Sequence, residues 1–117
     1  MKTLDVTQLQ AAIEKFASDR EWNQFHSVKN LSMAMSVEAG ELAEIFQWMS
    51  EADSNLVGEN PALKGQVADE LADVLVYLLR IADKTGVDLQ SAVVTKMRKN
   101  AEKYPVEKAK GKATKYD

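Results

Sequence analysis

Two pairs of acids carry the spacing that could do chemistry in this chain: Glu38 with Glu41, and Glu70 with Asp73. The first pair lies within Val37-Glu38-Ala39-Gly40-Glu41-Leu42-Ala43-Glu44-Ile45-Phe46-Gln47-Trp48. The second lies within Asp69-Glu70-Leu71-Ala72-Asp73-Val74-Leu75-Val76-Tyr77-Leu78. Residues three apart on a helix sit roughly 60° apart on one face. Acids gathered in an apolar setting cannot all stay ionised without a cation. Arg80 and Lys84 are possible partners but too few to neutralise four acids, so a divalent metal between the two helices answers the charge problem better.

The residue inventory narrows the metal. The chain has no cysteine and one histidine, His26, which excludes thiolate sites, cysteine nucleophiles and a histidine-rich zinc centre. A Glu-x-x-His motif of the di-iron bundles is also missing from the sequence. All-oxygen ligation points to Mg²⁺, with Mn²⁺ as an alternative. Such a site with open positions suits an in-line displacement at phosphorus. Surface carboxylates are the ordinary explanation of any single Glu-x-x-Glu. That explanation is weaker here, because Glu38 interrupts an apolar stripe and Glu70 adjoins another. A non-catalytic helical interaction module, its acids holding a structural cation or a basic partner, is the competing class.

The elements that must position these acids read as helices. Glycine and proline are scarce and fall at the edges of helical patterns, so the fold class is all-α. A first helix runs from about Leu4 to Asp19, with Thr3 as N-cap and Leu9, Ala12, Ile13 and Phe16 as its apolar stripe. Arg20 to Lys29 reads as a loop holding Trp22, Phe25 and His26. The second helix runs from about Asn30 to Met49, with a stripe of Leu31, Met35, Leu42, Ile45, Phe46 and Met49. A loop follows from Ser50 to Pro61. The third helix runs from about Pro61 to Thr85, with proline in its first turn and Gly86 just past its end. Its apolar arc is wide enough to touch more than one neighbour. The fourth starts after Asp88 and ends near Tyr104, where Pro105 stops it. Four helices with short connections read as a four-helix bundle, a single domain over residues 1–117 with a lysine-rich tail at 105–117.

Other residues could complete a nucleotide site. Trp22 and Trp48 are ordinary packing aromatics or walls of a slot in which a nucleobase stacks on indole. His26 is equally suited to a local cap or to ligand contact. Tyr77 is one turn beyond Asp73 and could face the same cavity. Lys96, Asn100 and Tyr104 share a helix face; solvation is the common reason for such a face, yet Lys96 and Asn100 are the best donors for a polyphosphate. A net charge of −3 disfavours binding to a nucleic-acid polymer or an anionic membrane. The sequence has no apolar run near the ~20 residues of a membrane span, and Met1 to Asp5 do not read as a signal peptide, so a cytoplasmic location is expected.

The ordered set Glu38-x-x-Glu41 and Glu70-x-x-Asp73 resembles the signature of the all-α nucleoside triphosphate pyrophosphohydrolases, the MazG-like group. It is most similar to the dCTP pyrophosphatase branch, through Arg20-Glu-Trp22-Asn-Gln-Phe25-His26, Gly40-Glu41-Leu-Ala-Glu44-Ile-Phe46-Gln-Trp48, Asp73-Val-Leu-Val-Tyr77-Leu and Lys96-Met97…Asn100…Tyr104-Pro105. The similarity extends to Lys115-Tyr116. The resemblance implies a helical homodimer or dimer of dimers (a homotetramer). It also implies hydrolysis of a nucleoside triphosphate, dCTP or a related one, to the monophosphate and pyrophosphate. By the same resemblance Glu38, Glu41, Glu70 and Asp73 hold Mg²⁺, with Glu38 or Glu41 as catalytic base. Trp22, Asn23, Gln24, Phe25, His26, Trp48 and Tyr77 contact the nucleotide, and Lys96 and Asn100 its phosphates. The chain departs from that branch at Ile13, where the animal enzymes place a histidine near the base.

Overall fold

The starts of the α-helices Val6–Asp19, Val28–Phe46, Glu51–Ser54, Pro61–Thr85 and Leu89–Lys103 are written by oxygen-bearing side chains that take up otherwise orphaned backbone N–H groups. A computed structural model describes residues 2–113, and every regular element among them is helical. Helix α1 spans Val6–Asp19, capped by Asp5, whose carboxylate accepts the Gln8 N–H at 2.9 Å. Helix α2 spans Val28–Phe46, capped by Ser27 through the Asn30 N–H. The short helix α3, Glu51–Ser54, is capped by Ser50. Helix α4 is Pro61–Thr85, with the Asn60 side chain accepting from the N–H groups of Ala62 and Leu63. Helix α5 is Leu89–Lys103, capped by Asp88, and α6 is Val106–Ala109. The 3₁₀ turns Trp22–Gln24 and Val57–Glu59 fill the two loops.

The sequence expectations meet this pattern with small shifts. The cap of α1 is Asp5 rather than Thr3, because the carboxylate stands three residues before a free N–H. Helix α2 begins two residues before Asn30 because Ser27 caps it, and it gives way to a turn after Phe46. Helix α4 matches its expected bounds, and Gly86 follows it at φ 70°, a left-handed conformation that glycine adopts without strain. The chain after Pro105 resumes as one helical turn. Met1 and residues 114–117, and with them the Lys115-Tyr116 match, lie outside the described residues.

The chain divides into two compact units, residues 1–85 and 86–117. In the first, α4 packs chiefly along α2 and also meets α1 and the turn Val57–Glu59. Its buried apolar side chains are Ala17, Leu31, Val57, Leu79 and Ala82. The expected breadth of the α4 arc is therefore used on three neighbours, while Leu71, Val76 and Leu78 on the same helix stay exposed. The second unit holds α5 and α6, and Val93, Val94 and Met97 of α5 are exposed. No helix among the described residues is long and apolar enough to cross a membrane.

Among the described residues of the first unit, one charged side chain is buried. Arg80 is 2% exposed and pairs with Glu14 of α1, whose side chain is 46% exposed. Ion pairing with Arg80 holds the Glu14 carboxyl below the usual range. Glu14→Ala leaves a guanidinium in the core without its carboxylate, at a cost of roughly 1–3 kcal/mol. Lys15→Ala breaks only the exposed Lys15–Asp19 pair and should cost no more than about 0.5 kcal/mol. Urea denaturation of the two variants tests this contrast.

Candidate metal centre

The packing of α2 against α4 brings the acids together. Glu38 and Glu41 project from α2, Glu70 from α4, and one carboxylate oxygen of each lies within 4.8 Å of the other two. Glu38 and Glu70 are half-buried, and the Oε2 atom of each is shielded from solvent with no hydrogen-bond partner. Glu41 is exposed at the rim of the group.

Such crowding is unfavourable for anions. The close carboxyl groups of Glu41 and Glu70, then burial, then the charges of Glu41 and Asp73, push the Glu38 carboxyl up to about 7. The Glu70 carboxyl is raised as well, first by burial and then by the charges of Glu41 and Asp73. Neither has a basic partner within the described residues. Arg80, a possible counter-ion from sequence, is committed to Glu14 and Asn23 instead. Unpartnered carboxylate oxygens that face one another fit a hard divalent cation, which would supply the missing positive charge. Asp73 stands outside the mutually close trio, but its charge reaches both Glu38 and Glu70.

The other residues singled out from sequence are distributed as follows. Trp48, just past the end of α2, is 90% exposed, an unusual setting for an indole. Tyr77 is half-buried one turn after Asp73. In the 3₁₀ turn, Trp22 packs edge-on against Phe16, with ring centroids 5.6 Å apart, and against His26 at 6.2 Å. Phe25 is exposed. His26 is half-buried, and burial together with the nearby charges of Arg80 and Lys84 lowers its pKa, so it is neutral at neutral pH. Asn23 and Gln24 have partners of their own. Asn23 accepts from Arg80 and donates to Glu14 and Ser18, while Gln24 donates to the Glu21 carbonyl at 2.9 Å. Lys96 and Asn100 lie on α5 in the second unit. The polar link of Arg80 to Glu14 and Asn23 was not read from sequence; its signal is a single cation inside the apolar run Leu78-Leu79-Arg80-Ile81.

Fold and site together define an all-helical protein in which the two longest helices face each other across a cluster of carboxylates. Residues 33–117 match the model of the MazG-like family, and the chain belongs to that family. Over 112 residues, 96% of the chain, it is 43% identical to dCTP pyrophosphatase 1 of Rattus norvegicus and 40% identical to that of Homo sapiens. It spans 64% of the length of these relatives. Its fold is similar to the crystal structure of a pyrophosphatase from Archaeoglobus fulgidus, with a TM-score of 0.80 and 39% identity. That similarity covers 90% of this chain and 96% of the archaeal one.

Proposed function

We propose that this protein is a Mg²⁺-dependent nucleoside triphosphate pyrophosphohydrolase that cleaves dCTP or a related nucleotide to the monophosphate and pyrophosphate, cleansing a cytoplasmic nucleotide pool. The observation that carries this reading is the cluster of Glu38, Glu41 and Glu70, with buried oxygens that have no other partner. The names of the relatives, dCTP pyrophosphatase 1 and a pyrophosphatase, supply the substrate class and the bond cleaved. Ile13, where that branch is expected to hold a histidine near the base, argues for testing dCTP beside other nucleotides.

Glu38, Glu41, Glu70 and Asp73 would hold the metal. When bound, Mg²⁺ supplies charge neutralisation for the phosphate oxygens and makes water a better nucleophile near neutral pH. Water oxygen attacks the α-phosphorus, the bond from that phosphorus to the bridging oxygen breaks, and pyrophosphate leaves. Glu38 takes the proton of the attacking water, with Glu41 as the alternative acceptor. The base stacks on Trp48 and on the turn from Trp22 to His26, and Tyr77 closes the inner side. Residues 1–117 act as one nucleotide-hydrolysing domain in a homodimer or dimer of dimers. Exposed Met33 and Val37 on α2, and Leu71, Val76 and Leu78 on α4, support burial against another copy.

The test is incubation with each common nucleoside triphosphate and Mg²⁺, with products resolved by ion-exchange chromatography. dCMP and pyrophosphate from dCTP are the expected products. Release of single phosphates, or no turnover of any nucleotide, contradicts the reading, and the second outcome favours a non-catalytic module. Trp48→Ala should remove a stacking contribution of roughly 1–3 kcal/mol, seen as a rise in KM of about 5- to 150-fold with kcat little changed.

A further inference from the structure

The proposed reaction makes no use of Arg80, the one charged side chain buried among the described residues. It lies on α4 one turn from Tyr77 and ten residues from Glu70. Its two terminal nitrogens diverge: one donates to the Glu14 carboxylate on α1, the other to the Asn23 side-chain oxygen in the turn Trp22–Gln24. The Asn23 amide then donates to Glu14 at 3.3 Å and to the Ser18 hydroxyl at 3.2 Å. A planar guanidinium can hold two acceptors in a fixed fork; an ammonium on a flexible stem cannot fix both directions.

The turn it grips is tied to α1 by the Asn23 amide and by the Trp22–Phe16 ring contact, and its polar link to α4 runs through Arg80. It opens at Glu21, a non-glycine residue at φ 56°, a conformation that costs energy for an L side chain. Its remaining hydrogen bonds are short in range: Glu21 N–H to the Ser18 carbonyl, Phe25 N–H to the Trp22 carbonyl, His26 N–H to the Asn23 carbonyl, Gln24 to the Glu21 carbonyl, and Asn30 at the start of α2 to the Phe25 carbonyl. None of these reaches α4. Among the described residues, the polar link from the turn to the helix that carries Glu70, Asp73 and Tyr77 is therefore the Arg80–Asn23 bond.

We propose that Arg80 is a positioning residue that locks the Trp22–His26 turn onto α4 and thereby sets where the nucleoside is held relative to the acids. The nucleotide part rests on the function proposed above. The lock is a statement about the fold and stands apart from it. Arg80→Met fills the same volume and lets Glu14 and Asn23, both solvent-facing, turn to water. The lock is lost without leaving a buried charge behind.

The experiment combines amide hydrogen exchange with steady-state kinetics on dCTP and Mg²⁺ for wild type, Arg80→Met and Arg80→Lys. The expected result is faster exchange confined to residues 21–27 in Arg80→Met. KM should rise roughly tenfold, part of the contribution of a stacked ring, with kcat retained. Arg80→Lys keeps the charge but not the fork and should also loosen the turn. Unchanged exchange in residues 21–27 overturns the lock. Faster exchange spread over the whole of residues 1–85, or a fall in kcat at constant KM, overturns the positioning role. If wild type turns over no nucleotide, the reaction proposed above has failed, and the exchange result alone decides the lock. If Arg80→Met does not fold, Asn23→Ala cuts the same link from the exposed side and is read by exchange in the same way.

Discussion

Glu38→Gln is expected to give a folded protein with its Mg²⁺-dependent hydrolysis reduced by about 10²–10⁴-fold, the usual contribution of a positioned base. The same substitution should not lower the stability of the metal-free protein. Glutamine keeps the volume and can donate to Glu41 or Glu70, which removes the conflict among three close carboxyl groups. Asp73→Asn should also inactivate, for a different reason: it removes a charge that reaches Glu38 and Glu70 and would help hold the cation. Circular dichroism separates loss of chemistry from loss of fold. Full activity in both variants contradicts the placement of the site between α2 and α4.

The stability of the metal-free protein should fall as pH rises toward neutrality. The folded-state carboxyl of Glu38 is pushed up to about 7 from an ordinary 4.5, so the folded chain keeps a proton that the unfolded chain has released. The stabilisation from that proton is fully present below the unfolded value and is lost as pH rises through about 7. Glu70, also raised, acts in the same direction. His26 has the opposite sign: its lowered pKa contributes stability above its ordinary value that is lost as pH falls through the folded one. Its effect thus belongs to the acid side of the range. A divalent cation competes with the protons on Glu38 and Glu70, so Mg²⁺ should raise Tm little near pH 5 and clearly near pH 8. Thermal melts in a chelator and in Mg²⁺, repeated on Glu38→Gln, check both trends. The variant should lose most of the decline toward neutral pH. A Mg²⁺ effect of equal size at both pH values contradicts the competition.

The acids were legible in the sequence because helix periodicity converts spacing into direction. Glu38 interrupts a stripe whose Leu31 is buried, so the pattern alone placed a carboxylate where solvent is scarce. The bounds of α4 were legible for the same kind of reason: Pro61 suits a first turn and Gly86 a left-handed end. The Arg80 cluster was not legible in that way. Its partners lie 66 and 57 residues away, and periodicity says nothing about which side chain waits on a neighbouring element. For Asn23 and Gln24 the resemblance implied nucleotide contact, while the structure adds partners within the chain for both side chains. Backbone strain at Glu21 has no sequence signature, since glutamate is not among the residues that favour a left-handed conformation.

Titration of the metal-free protein with Mn²⁺, followed by the electron paramagnetic resonance signal of the free ion, tests most directly whether Glu38, Glu41 and Glu70 form a cation site. Saturable binding at neutral pH that Glu38→Gln and Glu70→Gln each abolish or strongly weaken is the expected result. No saturable binding by the wild type, or equal affinity in either variant, would contradict it.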